Sequence, residues 1–177
     1  MTECFLAGDD IHQLNRDLRI LIATNGTLTR ILGVVTDEEI VVQIIAQQIH
    51  SRELAQWEQL PDSRILQRRI LLNGRNSGRR FVGAESLIAI DLLPDSIAAD
   101  LMTTNSPIGE IMAASRLETF KEPADVWIAE SPDWLAAATR QTAPPKTVGR
   151  RYRILIGGRP AIIVTEYFLD FCQDTSS

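Results

Sequence analysis

The sequence predicts an α+β fold: one antiparallel sheet with helices packed on one of its faces. Three observations carry this. Two pairs of strand-like segments, 64–72 with 81–92 and 150–156 with 161–169, are each separated by a few turn-forming residues, so each pair is a hairpin. The order along the chain is helices, strands, helices, strands, which groups the helices instead of alternating them with parallel strands. The chain has 177 residues, of which 45% are hydrophobic and 23% charged, an ordinary globular balance. A chain of this length buries roughly 70% of its unfolded surface. One domain over residues 1–177 is therefore expected, with 170–177 as a solvated tail.

The first helix takes Asp9 or Asp10 as cap and carries Ile11, Leu14, Leu18, Leu21 and Ile22 at helical spacing up to Asn25-Gly26. Thr27 caps a short second helix through Leu28, Ile31 and Leu32. In 39–49, Ile40, Val42 and Ile44 share one strand face, although 44–51 also tolerates helix. Residues 64–72 and 81–92 are strands joined by the turn 73–78, NGRNSG. A short helix follows over 94–104. Ser106-Pro107 opens another, with Ser106 as cap, Pro107 in first position and Glu110 in the first turn. Around Pro123, residues 118–130 hold an edge strand centred on Val126-Trp127-Ile128. Pro144-Pro145 marks a loop, and Gly157-Gly158-Arg159-Pro160 turns the last hairpin.

The net charge of −5 gives no footprint of a general nucleic-acid binder. Cys4 and Cys172, the two cysteines, make neither a metal cluster nor a disulfide framework, and a reducing cytoplasm is expected. The N-terminus does not read as a signal peptide, and no apolar run approaches the ~20 residues of a membrane span. Walker, GxGxxG, HExxH and GxSxG signatures are missing. His12 and His50, the two histidines, read as surface or packing residues.

Charge on apolar strand faces stands out instead. Arg68 shares its parity with Leu66, Ile70 and Leu72, and Glu166 shares its parity with Ile162, Val164 and Phe168. A buried ion without a partner costs several kcal/mol. Either Arg68 and Glu166 form a structural salt bridge, or one face is exposed, or the two hold opposite ends of a ligand in a pocket.

The segments LQRRILL, SPIGE and GRRYRILIGGRPAIIVTEYFL resemble the chorismate pyruvate-lyase (UbiC-like) family, and most closely its actinobacterial branch. The resemblance runs from LNRDLRILIATNGTLTR to TEYFLDF. It implies a six-stranded antiparallel sheet with helices, and a cytoplasmic enzyme that converts chorismate to 4-hydroxybenzoate and pyruvate without metal or cofactor. In that family an arginine, two backbone amides and a glutamate surround the product; these fall on Arg68, Leu28, Ile108 and Glu166. The implied partner is chorismate, not a nucleic acid or a membrane, and the implied state a monomer or homodimer. The branch favours a phenolic cell-envelope lipid over a quinone as the product's destination.

Local physics agrees. Ile108 and Leu28 sit in first helical turns, where backbone N–H groups lack intrahelical acceptors and favour an anion. One departure stands out: where better-known members carry a second arginine, this chain has Ala84-Glu85-Ser86. The second carboxylate of chorismate needs another cation, expected at Arg151 or Arg153, which share one strand parity, while Arg150 lies on the other. Rival readings are a binding module like the effector domains of transcription regulators, another chorismate-using activity, and a purely structural Arg68 and Glu166. The regulator reading expects a winged helix ahead of a first helix that here starts near residue 9.

Overall fold

The structure, a computed structural model, describes residues 4–51, 60–61, 63–140 and 146–169. The tail 170–177, with Cys172, and Pro144-Pro145 lie outside the described residues. Among the described residues, eight strands form one sheet: β1 (Cys4–Phe5), β2 (Ile40–Ser51), β3 (Arg64–Gly74), β4 (Arg80–Ala89), β5 (Thr119–Lys121), β6 (Asp125–Glu130), β7 (Lys146–Ile156) and β8 (Arg159–Phe168). Their order is β1-β6-β7-β8-β4-β3-β2, with β5 beside β6 along the same edge of β7. Every pairing is antiparallel. Six strands have six or more residues, which is the implied sheet; β1 and β5 add two and three residues at its margin.

Among the described residues, six helices accompany the sheet: α1 (Gly8–Ile11), α2 (Arg16–Ala23), α3 (Leu28–Thr36), α4 (Asp95–Thr103), α5 (Ile108–Ser115) and α6 (Asp133–Thr139). The expected first helix is broken in two, because Asn15 accepts a hydrogen bond from Leu18 N at 2.8 Å and caps α2 afresh. Residues 44–51 continue as strand, with a bulge between Ile44 and Ala46. β4 ends at Ala89, where Ile90–Leu92 tightens into a 3-10 turn. The segment 118–130 is two strands, β5 and β6, that share β7. α6 had no counterpart in the expectation.

Register explains where the site lies. Four rows run across β3, β4, β8 and β7 on one face of the sheet. The outer rows are apolar: Leu66, Ile88, Ile162, Ile154 at one end, and Leu72, Val82, Phe168, Val148 at the other. The inner rows are Arg68, Ser86, Val164, Tyr152 and Ile70, Ala84, Glu166, Arg150. Each outer row anchors its own apolar cluster. α4 and α5 supply Ile97, Leu101, Ile111 and Met112 to the first. α2 and α3 supply Leu18, Leu21, Ile22 and Leu32 to the second. Between the clusters, two small residues, Ser86 and Ala84, stand at the middle of the inner rows and leave space above the sheet.

Candidate active site

That space is a cavity of about 430 Å³. Ile70, Ala84, Ser86, Val164, Tyr152, Ile154 and Glu166 form its floor, and the first turns of α3 and α5 form one wall. The two helices meet N-terminus to N-terminus. A Cβ on Gly109 would stand 3.3 Å from Thr27 Cγ2, tighter than ordinary packing, so a glycine there lets the ends close on each other. Thr29 Oγ1 donates to Glu110 Oε1 at 3.3 Å across the junction. Leu28 and Ile108 are each the first helical residue, after Thr27 and Pro107 as caps. Neither cap makes a side-chain hydrogen bond. Pro107, not Ser106, is the cap of α5, because its ψ of 143° is extended. Two sets of free N–H groups therefore face the same cavity.

Arg68 lies just behind that wall. It is 2% exposed, yet no carboxylate among the described residues pairs with it. Its Nη1 donates to Ser106 O at 2.9 Å and its Nη2 to Thr104 O at 3.1 Å, while buried Nε has no partner. Burial lowers its pKa from the usual value. Its cross-strand neighbour Ser86 and its same-face neighbour Ile70 both line the cavity. The two carbonyls draw the guanidinium aside from the cavity floor.

Glu166 lies at the other end, on the same face as Arg68 but two strands and one row away. That is roughly 12 Å between Cα atoms by sheet geometry, so they do not form a salt bridge. Glu166 pairs instead with Arg150, directly across the β7–β8 ladder. Nε of Arg150 donates to Oε2 at 2.7 Å, and Nη2 reaches the same oxygen at 2.5 Å. Nη1 of Arg150 donates to the carbonyls of Leu21, Ile22 and Thr24 at 2.7, 2.8 and 3.2 Å, tying the end of α2 to the sheet. Tyr152 donates its hydroxyl to Glu166 Oε1 at 2.9 Å. Burial, with Glu166 beside it, raises the Tyr152 pKa well above the usual phenol value, so this hydroxyl stays a donor.

The structure does not bring Arg151 and Arg153, expected at the second carboxylate, to the cavity. Their parity turns them to the opposite face, where Arg151 Nε donates to Thr165 Oγ1 at 3.1 Å and Arg153 Nε pairs with Glu122 Oε2 at 2.5 Å. Neither lines the cavity. The cations that do line it are Arg116 and Lys121, which the sequence did not single out. Nor do the histidines line it; His50 bonds Gln67 Oε1 at 3.0 Å on β3.

A cavity with two helix N-termini in its wall and a carboxylate in its floor fits the family that the sequence resembles. The family model described as chorismate pyruvate-lyase Rv2949c-like matches residues 22–173. The chain belongs to this family. It is 56% identical to a chorismate pyruvate-lyase of Mycobacterium tuberculosis over 96% of this chain and 87% of that one. It is 57% identical to a chorismate pyruvate-lyase of Mycobacterium leprae over 99% of this chain and 85% of that one. Among solved structures, a GntR-family transcriptional regulator from Bacillus cereus superposes with a TM-score of 0.61 at 13% identity, over 79% of this chain and 98% of that one. This last likeness is one of fold. For this Rv2949c-like chain, Arg150 and Tyr152 are the residues that strand parity, counted without register, left out. Placing Arg150 opposite Glu166 needs the bulge between Ile154 and Leu155.

Proposed function

We infer that this cavity converts chorismate to 4-hydroxybenzoate and pyruvate, making the chain a chorismate pyruvate-lyase. One observation carries the reading: two helix N-termini line a mostly apolar cavity whose floor holds a carboxylate, and behind that wall Arg68 is buried with no carboxylate partner among the described residues. Chorismate has the matching ends, a ring carboxylate at C1 and a hydroxyl at C4. The Leu28 and Ile108 N–H groups receive the carboxylate. The Arg68 fork exchanges a neutral carbonyl for that anion, since charge-assisted bonds are the stronger ones. Glu166 accepts the hydroxyl; a carboxylate has about four acceptor positions, and Arg150 and Tyr152 leave room for one more donor.

The reaction breaks the C4–H and C3–O bonds, makes the ring aromatic and protonates the enolpyruvyl methylene. Both Glu166 oxygens are already engaged, so we assign Glu166 to orientation and the C4 hydrogen to direct transfer onto the methylene. Catalysis then consists of holding the reactive conformer and matching its charge. Incubating the purified protein with chorismate and following 4-hydroxybenzoate by absorbance tests the activity; no product would reject it. Chorismate deuterated at C4 tests the route: label in the pyruvate methyl supports direct transfer, and its absence assigns proton removal to a base. Two cysteines near opposite ends of the sequence suit a reducing cytoplasm, which is where we put the enzyme.

A further inference from the structure

Chorismate carries a second carboxylate, on the enolpyruvyl group at C3. With the C4 hydroxyl on Glu166, C3 lies one ring bond away, so this carboxylate falls beside Glu166 and far from the helix N-termini. Arg150 is already neutralised by Glu166, through Nε and Nη2, and its Nη1 is held by three backbone carbonyls; it does not line the cavity. Arg151 and Arg153 point to the other face. Lys121 occupies the required place. It sits on β5 opposite Ile154, on the cavity face. Its Nζ lies 3.8 Å from the centroid of the Tyr152 ring. Tyr152 holds Glu166, and Lys121 is within electrostatic reach of both Glu166 and Arg150. No carboxylate among the described residues forms an ion pair with it.

We propose that Lys121 receives the enolpyruvyl carboxylate of chorismate and so distinguishes substrate from product. This rests on the lyase reading above. Arg116, the other cation of the cavity, is a less suitable partner. It caps the far end of α5 in a left-handed conformation (φ 56°) and is exposed at the mouth, where solvent screens a charge more.

The product keeps the ring carboxylate and the hydroxyl but loses the enolpyruvyl group, which makes a discriminating test possible. Lys121→Met is expected to raise KM for chorismate at least about tenfold, the scale of one hydrogen bond to a charged group. The inhibition constant of 4-hydroxybenzoate should stay within about twofold of the wild type. Lys121→Arg should recover most of the affinity. An unchanged KM in Lys121→Met overturns the proposal, as does a parallel rise in KM and inhibition constant, which would mark a packing role. A KM increase in Arg116→Ala with none in Lys121→Met moves the subsite to the mouth and likewise overturns it. Absence of turnover in the wild type rejects the lyase reading instead. Calorimetric titration with 4-hydroxybenzoate, which is not turned over, then checks that product affinity is the same in wild type and Lys121→Met.

Discussion

Arg68 and Arg150 lie on one face of one sheet, 2% and 1% exposed, and both bond backbone carbonyls. Arg150 also has Glu166, so its charge is cancelled inside the protein and its Nη1 holds the end of α2. Arg68 has carbonyls alone and an idle Nε. A buried cation with an anion stabilises its surroundings by geometry. A buried cation without one retains a demand for a negative charge, and two helix N-termini beside it share that demand. The first holds Glu166 in place. The second keeps an unpaired charge behind the cavity wall.

The strongest way to break this comparison is to remove each charge and keep its bulk. Arg150→Met leaves Glu166 buried and unpaired, and should lower unfolding free energy by about 3–5 kcal/mol in denaturant titrations. Arg68→Met should leave stability unchanged or raised, yet lower turnover at least ~100-fold. Equal destabilisation by both would make Arg68 scaffold too. Next in size, Glu166→Gln should lower kcat at least ~100-fold. Near-wild-type turnover in that variant would remove Glu166 from the reaction. Tyr152→Phe takes away one donor to Glu166, and about a tenfold loss in kcat/KM is expected.

A pH profile sharpens the comparison further. Desolvation, with Arg150 nearby, lowers the Lys121 pKa to about 8. Lys121 is charged below that pH and neutral above it, so kcat/KM for chorismate should fall as pH rises through about 8. The charged and titratable groups around it are Glu166, Arg150 and Tyr152 on the sheet and Arg116 and Glu118 in the chain before β5. Tyr152 titrates well above its usual range and does not mimic this limb. In Lys121→Arg the limb should disappear, because arginine stays charged. Smallest of all, Arg151→Ala and Arg153→Ala should each change kcat/KM less than about twofold, since both face away from the cavity.

Several parts of this were legible in the chain. Strand parity placed Arg68 among Leu66, Ile70 and Leu72, and Glu166 among Val164 and Phe168. Cap residues placed Leu28 and Ile108 in first turns, one position off for Ile108, because Pro107 adopts an extended ψ and takes the cap. Parity cannot say which residue of one strand faces which residue of the next. Counted from the Gly157-Gly158 turn, Ile156 pairs with Arg159, a register that would set Thr165 opposite Arg150. One bulge shifts the ladder and brings Glu166 there instead. Lys121 gave no local signal, because β5 is three residues long and its face is set by β7.

The sequence by itself determined the two hairpins, the helix starts at Leu28 and Ile108 to within a residue, and the apolar strand parity of Arg68 and Glu166, because backbone periodicity and turn chemistry are local. The tertiary structure decided which charges neutralise one another and which stay open to a ligand. That depends on register between strands and on helix ends meeting across the sheet, where a one-residue shift exchanges one partner for another.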